Sequence, residues 1–427
     1  MNFDRMRELF LDQAIRGELV SQLAEEGVVE QIGAAPEEVP FKIPESWSWI
    51  RVEELAVKRK TIDPSTLTND EIELWSIPAY DAGVAEKVSP GDIGSSKKVV
   101  QVGDVLLAKI VPHIKRVWVV SESANSLMKL ASTEWLVYAS ELFLPEFMGL
   151  LFRAPYFRTK MMESVSGMGS LKRANPRILA KVWLPVPPIK EQERIVTRLG
   201  EAFAEIDRAE KAYEELQTLA GVLRGQILQE AIKGKLVPQL AEEGVVEHIG
   251  AAPDEVPFEI PESWQWVQLN RICTLKSGVD MSPSVLLNEP VVDSIPYITG
   301  GSQIGQSGEL LITRWTSKAT NISEKGDVLL ICKGSGLGRT ALNSYGSVHI
   351  ARQIMAIRKT KEAIPQYLDL LLKWRWESLR SAAKGVIPGI SRKDVLSLLV
   401  PLPPVTEQVR IVAKVDDLLK QVNALSA

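Results

Sequence analysis

The longest regular pattern of apolar positions in the chain is a heptad seam. Ile195, Leu199, Ala202, Ile206, Ala209, Tyr213, Leu216, Ala220, Leu223 and Ile227 alternate spacings of four and three, with Glu, Lys and Arg between them. Such spacing keeps one stripe of a helix turned toward a partner helix, so it predicts a coiled-coil strand. Pro187 and Pro188 suit its start and Gly234 its stop. From Lys190 to Lys233 that helix would be on the order of 65 Å long at 1.5 Å per residue. The seam restarts with Ile411, Val415, Leu418, Val422 and Leu425. Its missing continuation lies at the other end of the chain, where Met6, Phe10 and Ala14 correspond to Leu223, Ile227 and Ala231. The two terminal pieces are therefore expected to pack together, antiparallel, against the central helix. The chain reads as a pseudo-twofold circular arrangement opened within one helix.

The correspondence is part of a larger repeat. Residues 19–49 read LVSQLAEEGVVEQIGAAPEEVPFKIPESWSW and residues 236–266 read LVPQLAEEGVVEHIGAAPDEVPFEIPESWQW, differing at five positions with an offset of 217. A second block, Leu184 to Val196, returns at Val400 to Val412 with an offset of 216. Between the blocks the halves have diverged, although Gly103-Asp104-Val105-Leu106-Leu107 still matches Gly326-Asp327-Val328-Leu329-Leu330. Near-identical flanks suit two copies of one partner related by a pseudo-twofold axis, and diverged interiors suit two different ligands. Flanks that are structural linkers remain an alternative.

Each interior, roughly 140 residues and so of single-domain size, runs from Ile-Pro-Glu-Ser-Trp (43–47, 260–264) to a Pro-Pro pair. Apolar runs predict strands at Val99–Val102, Val105–Val111, Val117–Val120 and Trp135–Tyr138 in the first. In the second they predict strands at Ser294–Thr299, Val328–Cys332, Ser347–Ile350 and Ile354–Arg358. Helices are expected near Pro145–Ser164 and Ile364–Ala383. The fold class is thus α/β or mixed α+β, two sheet-containing domains joined by a long antiparallel helical coiled coil. The expected division is an N-terminal helix (1–20), a connector (21–45), a first domain (46–186), the central helix (187–236), a connector (237–262), a second domain (263–402) and a C-terminal helix (403–427).

Composition excludes several classes. No apolar run approaches the roughly 20 residues of a membrane span, and the N-terminus leads into no apolar run of a secretory signal. Cytoplasm is the expected location. Cys273 and Cys332 are the only cysteines, and His113, His248 and His349 lie far apart, so neither a disulfide framework nor a metal site is expected. Net charge is −4, so basic character must be sought locally. Val328 to Lys361 holds no acidic residue but carries Lys333, Arg339, Arg352, Arg358, Lys359 and Lys361. Val105 to Ser121 likewise holds only Lys109, Lys115 and Arg116, with Lys172, Arg173 and Arg177 further on, partly matched by Arg392 and Lys393. Such clusters fit phosphate contacts. The candidate DNA-binding residues are Lys109, His113, Lys115, Arg116, Lys172 and Arg173 in the first half. In the second they are Lys333, Ser335, Arg339, Arg352, Gln353 and Arg392.

Enzyme motifs are missing. Lys333-Gly334-Ser335-Gly336-Leu337-Gly338-Arg339-Thr340 lacks P-loop spacing and precedes strand-like residues rather than a helix. Asn175-Pro176-Arg177 is only superficially like an amino-methyltransferase motif, because Arg177 stands where an aromatic should stack on a flipped base. No nucleophile elbow or zinc helix is visible.

Two variable interiors that open with Ile-Pro-Glu-Ser-Trp and close with Pro-Pro-x-x-Glu-Gln-x-Arg-Ile-Val resemble the specificity subunits of type I restriction–modification systems. The matching residues are Pro187, Pro188, Glu191, Gln192, Arg194, Ile195 and Val196, and Pro403, Pro404, Glu407, Gln408, Arg410, Ile411 and Val412. The resemblance implies a non-catalytic subunit that recognises a split, asymmetric double-stranded DNA site, each interior reading one half. It also implies two methyltransferase subunits that carry S-adenosylmethionine, and restriction subunits that use ATP and magnesium where they join. No cofactor is expected in this chain. A stand-alone two-headed scaffold and a divergent methyltransferase are the alternatives.

Overall fold

The computed structural model describes residues 2–31, 33–122, 127–166, 172–250, 253, 255–305, 308–334, 336–376, 379 and 389–425. Contacts divide the chain into Met1–Ala212 and Tyr213–Ala427. The division falls inside one continuous helix of 44 residues, Ile189–Ile232.

In the first unit, Val105–Ala108 is buried at every position. It is the central strand of an antiparallel trio, flanked by Val117–Val119 and Trp135–Tyr138, so neither face meets water. Helix Pro145–Arg153 covers it with Phe147, Met148, Leu151 and Phe152. A five-stranded sheet has the order 61–62, 97–99, 129–131, 72–75, 86–88, with Ile72–Trp75 and Lys129–Ala131 parallel. The interior closes on itself where Ser48–Arg51 pairs with Trp183–Val186, Trp49 opposite Pro185. That pairing sets Trp47 beside the start of the long helix.

The N-terminal helix, Phe3–Arg16, begins on Asn2, whose side chain accepts from Arg5 N–H, and ends on Gly17 at φ 74°. Its Leu11, Ala14 and Ile15 share a core with Ile195 and Leu199. Arg7 reaches Asp207 at 2.7 Å and Glu210 at 2.5 Å, while Gln22 reaches back to Glu191. The helices therefore run antiparallel.

The second unit repeats the plan. Val328–Ile331, buried throughout, lies between Ile354–Lys359 and Thr340–Leu342 in a four-stranded sheet that Cys273–Ser277 completes. A further sheet has the order 315–316, 295–298, 348–350, 322–323, and Gln265–Gln268 pairs with Leu399–Leu402. Helix Val405–Leu425 shares a core with Ala220, Ile227 and Ala231 through Ile411, Val415 and Val422.

Several expectations need correction. The strand expected to reach Val111 stops at Ala108, and Val111 turns the chain at φ 47°. A strand occupies Lys97–Val99 rather than 99–102. The expected helix 145–164 is two helices broken at Ala154, because Pro155 holds that residue extended. Helix Pro365–Trp374 is shorter than expected, and residues 377, 378 and 380–383 of that expectation lie outside the described set. Along the seam Ile195, Leu199, Ile206 and Ile227 are buried and Tyr213 and Leu418 half-buried. Met6, Ala209 and Leu425 are exposed, as are Leu216 (37%) and Leu223 (41%). The short helices run out: Arg7 is already level with Asp207, and Asn423, two residues before its helix ends, is level with Arg224.

Candidate nucleic-acid interface and its supporting clamp

The repeated flanks build the same hydrogen-bonded clamp in each unit. Glu191 is buried in the first turn of the long helix, and its carboxylate accepts from Trp47 Nε1 (2.8 Å) and Gln22 Nε2 (2.6 Å). Gln192 accepts from Leu144 N–H (2.8 Å) and donates to the carbonyls of Leu142 (2.8 Å) and Pro187 (2.9 Å). Arg194 forks onto Glu26 at 2.7 and 2.6 Å and reaches the Ser21 carbonyl. In the second unit Glu407 takes Trp264 (2.9 Å) and Gln239 (2.6 Å), and Gln408 takes Ile364 N–H and the Glu362 and Pro403 carbonyls. Arg410 there forks onto Glu243 and reaches the Pro238 carbonyl. Burial raises the pKa of Glu191 and Glu407 against the opposing effect of their hydrogen bonds, whereas the guanidinium partners lower Glu26 and Glu243. Gly17 and Gly234 complete the clamp. A Cβ there would lie 2.3 Å from Pro44 Cγ and 2.4 Å from Pro261 Cγ, at φ 74° and 71°. Pro, Glu, Gln, Arg, Trp and Gly of the repeats thus all have intramolecular work, a role that spacing alone did not reveal.

The matched Gly-Asp pair is also structural. Asp104 (1% exposed) forks with Arg59 and accepts from Gln101 N–H, as Asp327 does with Arg358 and Glu324 N–H. Arg358, part of the acid-free run in sequence, is therefore tied to an acid in space.

The candidate residues gather at the end of the buried central strand. In the first unit Lys109 N–H donates to the Glu134 carbonyl (3.1 Å), and in the second Cys332 N–H donates to that of Gln353 (2.8 Å). Strand register agrees, since Ala108 faces Trp135 and Ile331 faces Ile354. Glu134 and Gln353 are therefore equivalent positions. A second segment crosses each strand end: Ala174 N–H donates to the Lys109 carbonyl and Ile390 N–H to that of Cys332. This crossing brings Lys109, Lys172 and Arg173 together, and in the second unit puts Gly389 opposite Lys333. Asn175 and Ser391 then cap short helices at Pro176–Leu179 and Arg392–Leu396. The Asn-Pro-Arg stretch is thus a helix start.

Several candidate cations already have carboxylate partners. Arg173 pairs with Glu134 at 3.2 Å and Lys109 lies 3.9 Å from it, so Glu134, which sequence reading passed over, is the hub. Lys115 pairs with Glu8 (2.9 Å) and Arg352 with Asp280 (2.8 Å). Arg116 is buried with both arms on Asp81 at 2.8 Å, which makes it a clamp for its turn rather than a free reader. Acid-free stretches of sequence were poor guides here because the paired acids come from distant segments. Lys172, Lys333, Arg339 and Arg392 are exposed with no ion pair among the described residues, and His113 is exposed on its turn. Ser335 lies outside the described residues. Around it Gly334, Gly336 and Gly338 all adopt positive φ, and Trp376 lies against Gly338, where a Cβ would meet its ring at 1.8 Å.

Burial pushes the Cys273 thiol up to about 12 and raises Cys332. Among the described residues no three His, Cys, Asp or Glu side chains are grouped to hold a metal ion, and no helix is long and apolar enough to cross a membrane.

Two sheet-bearing units, each closed by the same clamp at the start of a helix, the first on Ile189–Ile232 and the second on Val405–Leu425, make a duplicated chain. Residues 261–427 match the type I restriction modification DNA specificity domain. The specificity subunit of type I restriction enzyme EcoAI from Escherichia coli is 23% identical over an alignment covering 99% of this chain and 90% of that protein. The crystal structure of the HsdS subunit from Thermoanaerobacter tengcongensis superposes with a TM-score of 0.61 at 24% identity, covering 91% of this chain and 93% of that one. A chain from a structure addressing assembly and conformational transition of the type I restriction–modification system gives 0.66 at 24% identity, with the same coverages. Residues 261–427 therefore match the type I DNA specificity domain, and over nearly its whole length the chain is similar to type I restriction enzyme specificity subunits.

Proposed function

We propose that the two interior domains, 46–186 and 263–402, each read one half of a bipartite, asymmetric DNA site, and that the long helix sets the spacing between the halves. One observation carries this reading: the clamps match bond for bond, while the strand ends they support differ in charge, partners and glycine content. Matched clamps suit matched surroundings, and unlike strand ends suit unlike half-sites. Lys172, Lys333, Arg339 and Arg392, without ion pairs among the described residues, would contact phosphates; His113 and Gln353 would join them, as would Lys109, Lys115, Arg173 and Arg352 once their carboxylate partners exchange.

The two connectors are the docking arms in this reading. Each exposes an apolar pair within an acidic stretch, Leu23 with Val28 and Leu240 with Val245. Acidic segments repel phosphate and suit a protein partner, here one methyltransferase subunit per connector. S-adenosylmethionine would then belong to those partners, and ATP with magnesium to restriction subunits where present.

The test is purification of the chain from its host with identification of any methyltransferase that accompanies it, followed by mapping of methylated adenines in the host genome with and without this chain. A two-part asymmetric motif that disappears with the chain is the expected result. Recovery of the chain without a methyltransferase, or methyl transfer by the chain alone, would overturn the proposal.

A further inference from the structure

We propose that Gln353 reads an adenine in the major groove, through its side-chain carboxamide. The inference rests on the DNA-recognition reading above and adds the base. Gln353 stands at the exposed end of the strand pair formed by Val328–Ile331 and Ile354–Lys359, with its backbone carbonyl held by Cys332 N–H. Its backbone is therefore fixed by the sheet while its side chain is half-exposed.

The carboxamide lies between two glycines. A Cβ on Gly300 would come within 2.4 Å of Gln353 Oε1, and one on Gly334 within 3.5 Å of the same atom. Any larger residue at 300 would displace the amide, and Gly334, at φ 80°, sits where side chains are strained. Among the described residues the amide has no hydrogen-bond partner, so both donors and the acceptor are open. Lys333 and Arg339, exposed and without ion pairs among the described residues, flank Gly334 and Gly338, and the Arg339 guanidinium lies 3.5 Å from the Gly301 carbonyl. A planar amide with one donor and one acceptor side by side, walled by glycine and flanked by cations, matches the N6 donor and N7 acceptor of adenine.

The first unit supplies the contrast. Its equivalent residue, Glu134, is an acceptor only and is engaged by Arg173 and Lys109. The two units thus carry different hydrogen-bonding codes at one structural position, acceptor only against donor with acceptor, and an adenine contact at that position belongs to the second unit alone.

The experiment is selection from a randomised double-stranded DNA library by the full chain in complex with its methyltransferase subunits, for the wild type, Gln353→Ala and Gln353→Glu. Wild type should hold one position of one half-site to A·T. Gln353→Ala should relax that position by about tenfold to a hundredfold and leave the others unchanged. Gln353→Glu should move it toward C·G, because a carboxylate accepts from cytosine N4. An unchanged motif in Gln353→Ala, with thermal unfolding as in the wild type, overturns the assignment, as does relaxation at a position that is not A·T. Lys333→Ala with Arg339→Ala in the same assay separates the two levels. If that double variant binds DNA less tightly while Gln353→Ala keeps the motif, the base assignment alone fails. If the double variant binds as the wild type does, the DNA face itself has been misplaced.

Discussion

The clamp regions and the strand ends of the two units have the same ancestry and opposite fates. At the clamps every donor and acceptor of Glu191, Gln192 and Arg194 finds a counterpart around Glu407, Gln408 and Arg410, down to bond lengths within about 0.2 Å. At the strand ends Lys109 becomes Cys332 and Glu134 becomes Gln353, and a loop with three positive-φ glycines follows in the second unit only. Buried polar groups explain the first case: each atom of a buried Gln or Glu must be satisfied, so a change at one residue strands its partners. Solvated loop ends carry no such debt and are free to diverge.

That contrast can be broken most directly at Gly17 and Gly234. Alanine at either should cost roughly 2–5 kcal/mol, from left-handed strain plus overlap with Pro44 or Pro261. Thermal or urea unfolding should show similar losses for the two; a tolerated Gly234→Ala would mean that the second clamp is not the equal of the first. Gln192→Ala and Gln408→Ala come next, each leaving one N–H and two carbonyls without their partner, at about 3 kcal/mol. Unequal losses at these two positions would show that the clamps share geometry but not energetics.

Smaller effects belong to the strand ends. Lys333→Ala and Arg339→Ala should change stability by less than about 0.5 kcal/mol. In the complex each should lower the salt dependence of DNA binding by about 0.9 in log–log slope. Arg116→Ala should do the reverse, reducing stability while leaving that slope unchanged, since its guanidinium is held by Asp81. A lowered slope for Arg116→Ala would place its turn on the DNA after all.

The smallest effect is in pH. Arg194 and Arg410 lower Glu26 and Glu243, so the native state binds fewer protons there than the unfolded chain. That stability is complete above the ordinary carboxylate pKa and is lost as pH falls through the lowered native values. Burial raises Glu191 and Glu407, so the native state binds more protons there, and stability increases as pH falls through the raised values toward the ordinary one. Stability followed against pH for wild type and Glu26→Gln should therefore differ by a constant margin above the ordinary carboxylate range, a margin that shrinks as pH falls through the lowered native value of Glu26. A margin that stays the same in acid would point to a lost hydrogen bond rather than to titration.

Heptad spacing, the duplicated blocks and the apolar strand cores were legible in the sequence because each is periodic or local: Ile195 and Leu199, or Val328 through Ile331, face the core for reasons contained within a few residues. The same locality explains the misses. Met6, Leu216 and Leu223 fit the seam yet are exposed, since how far a short helix covers a long one depends on where both begin. Pairings such as Arg116 with Asp81, Arg173 with Glu134 and Arg358 with Asp327 span dozens of residues, and a charge count along the chain cannot see them. The sequence by itself determined that there are two related units, where their cores lie and which family they resemble. Only the tertiary structure decided which polar residues hold the units shut and which remain open to a ligand, because hydrogen bonds are closed by distance in space and not by distance along the chain.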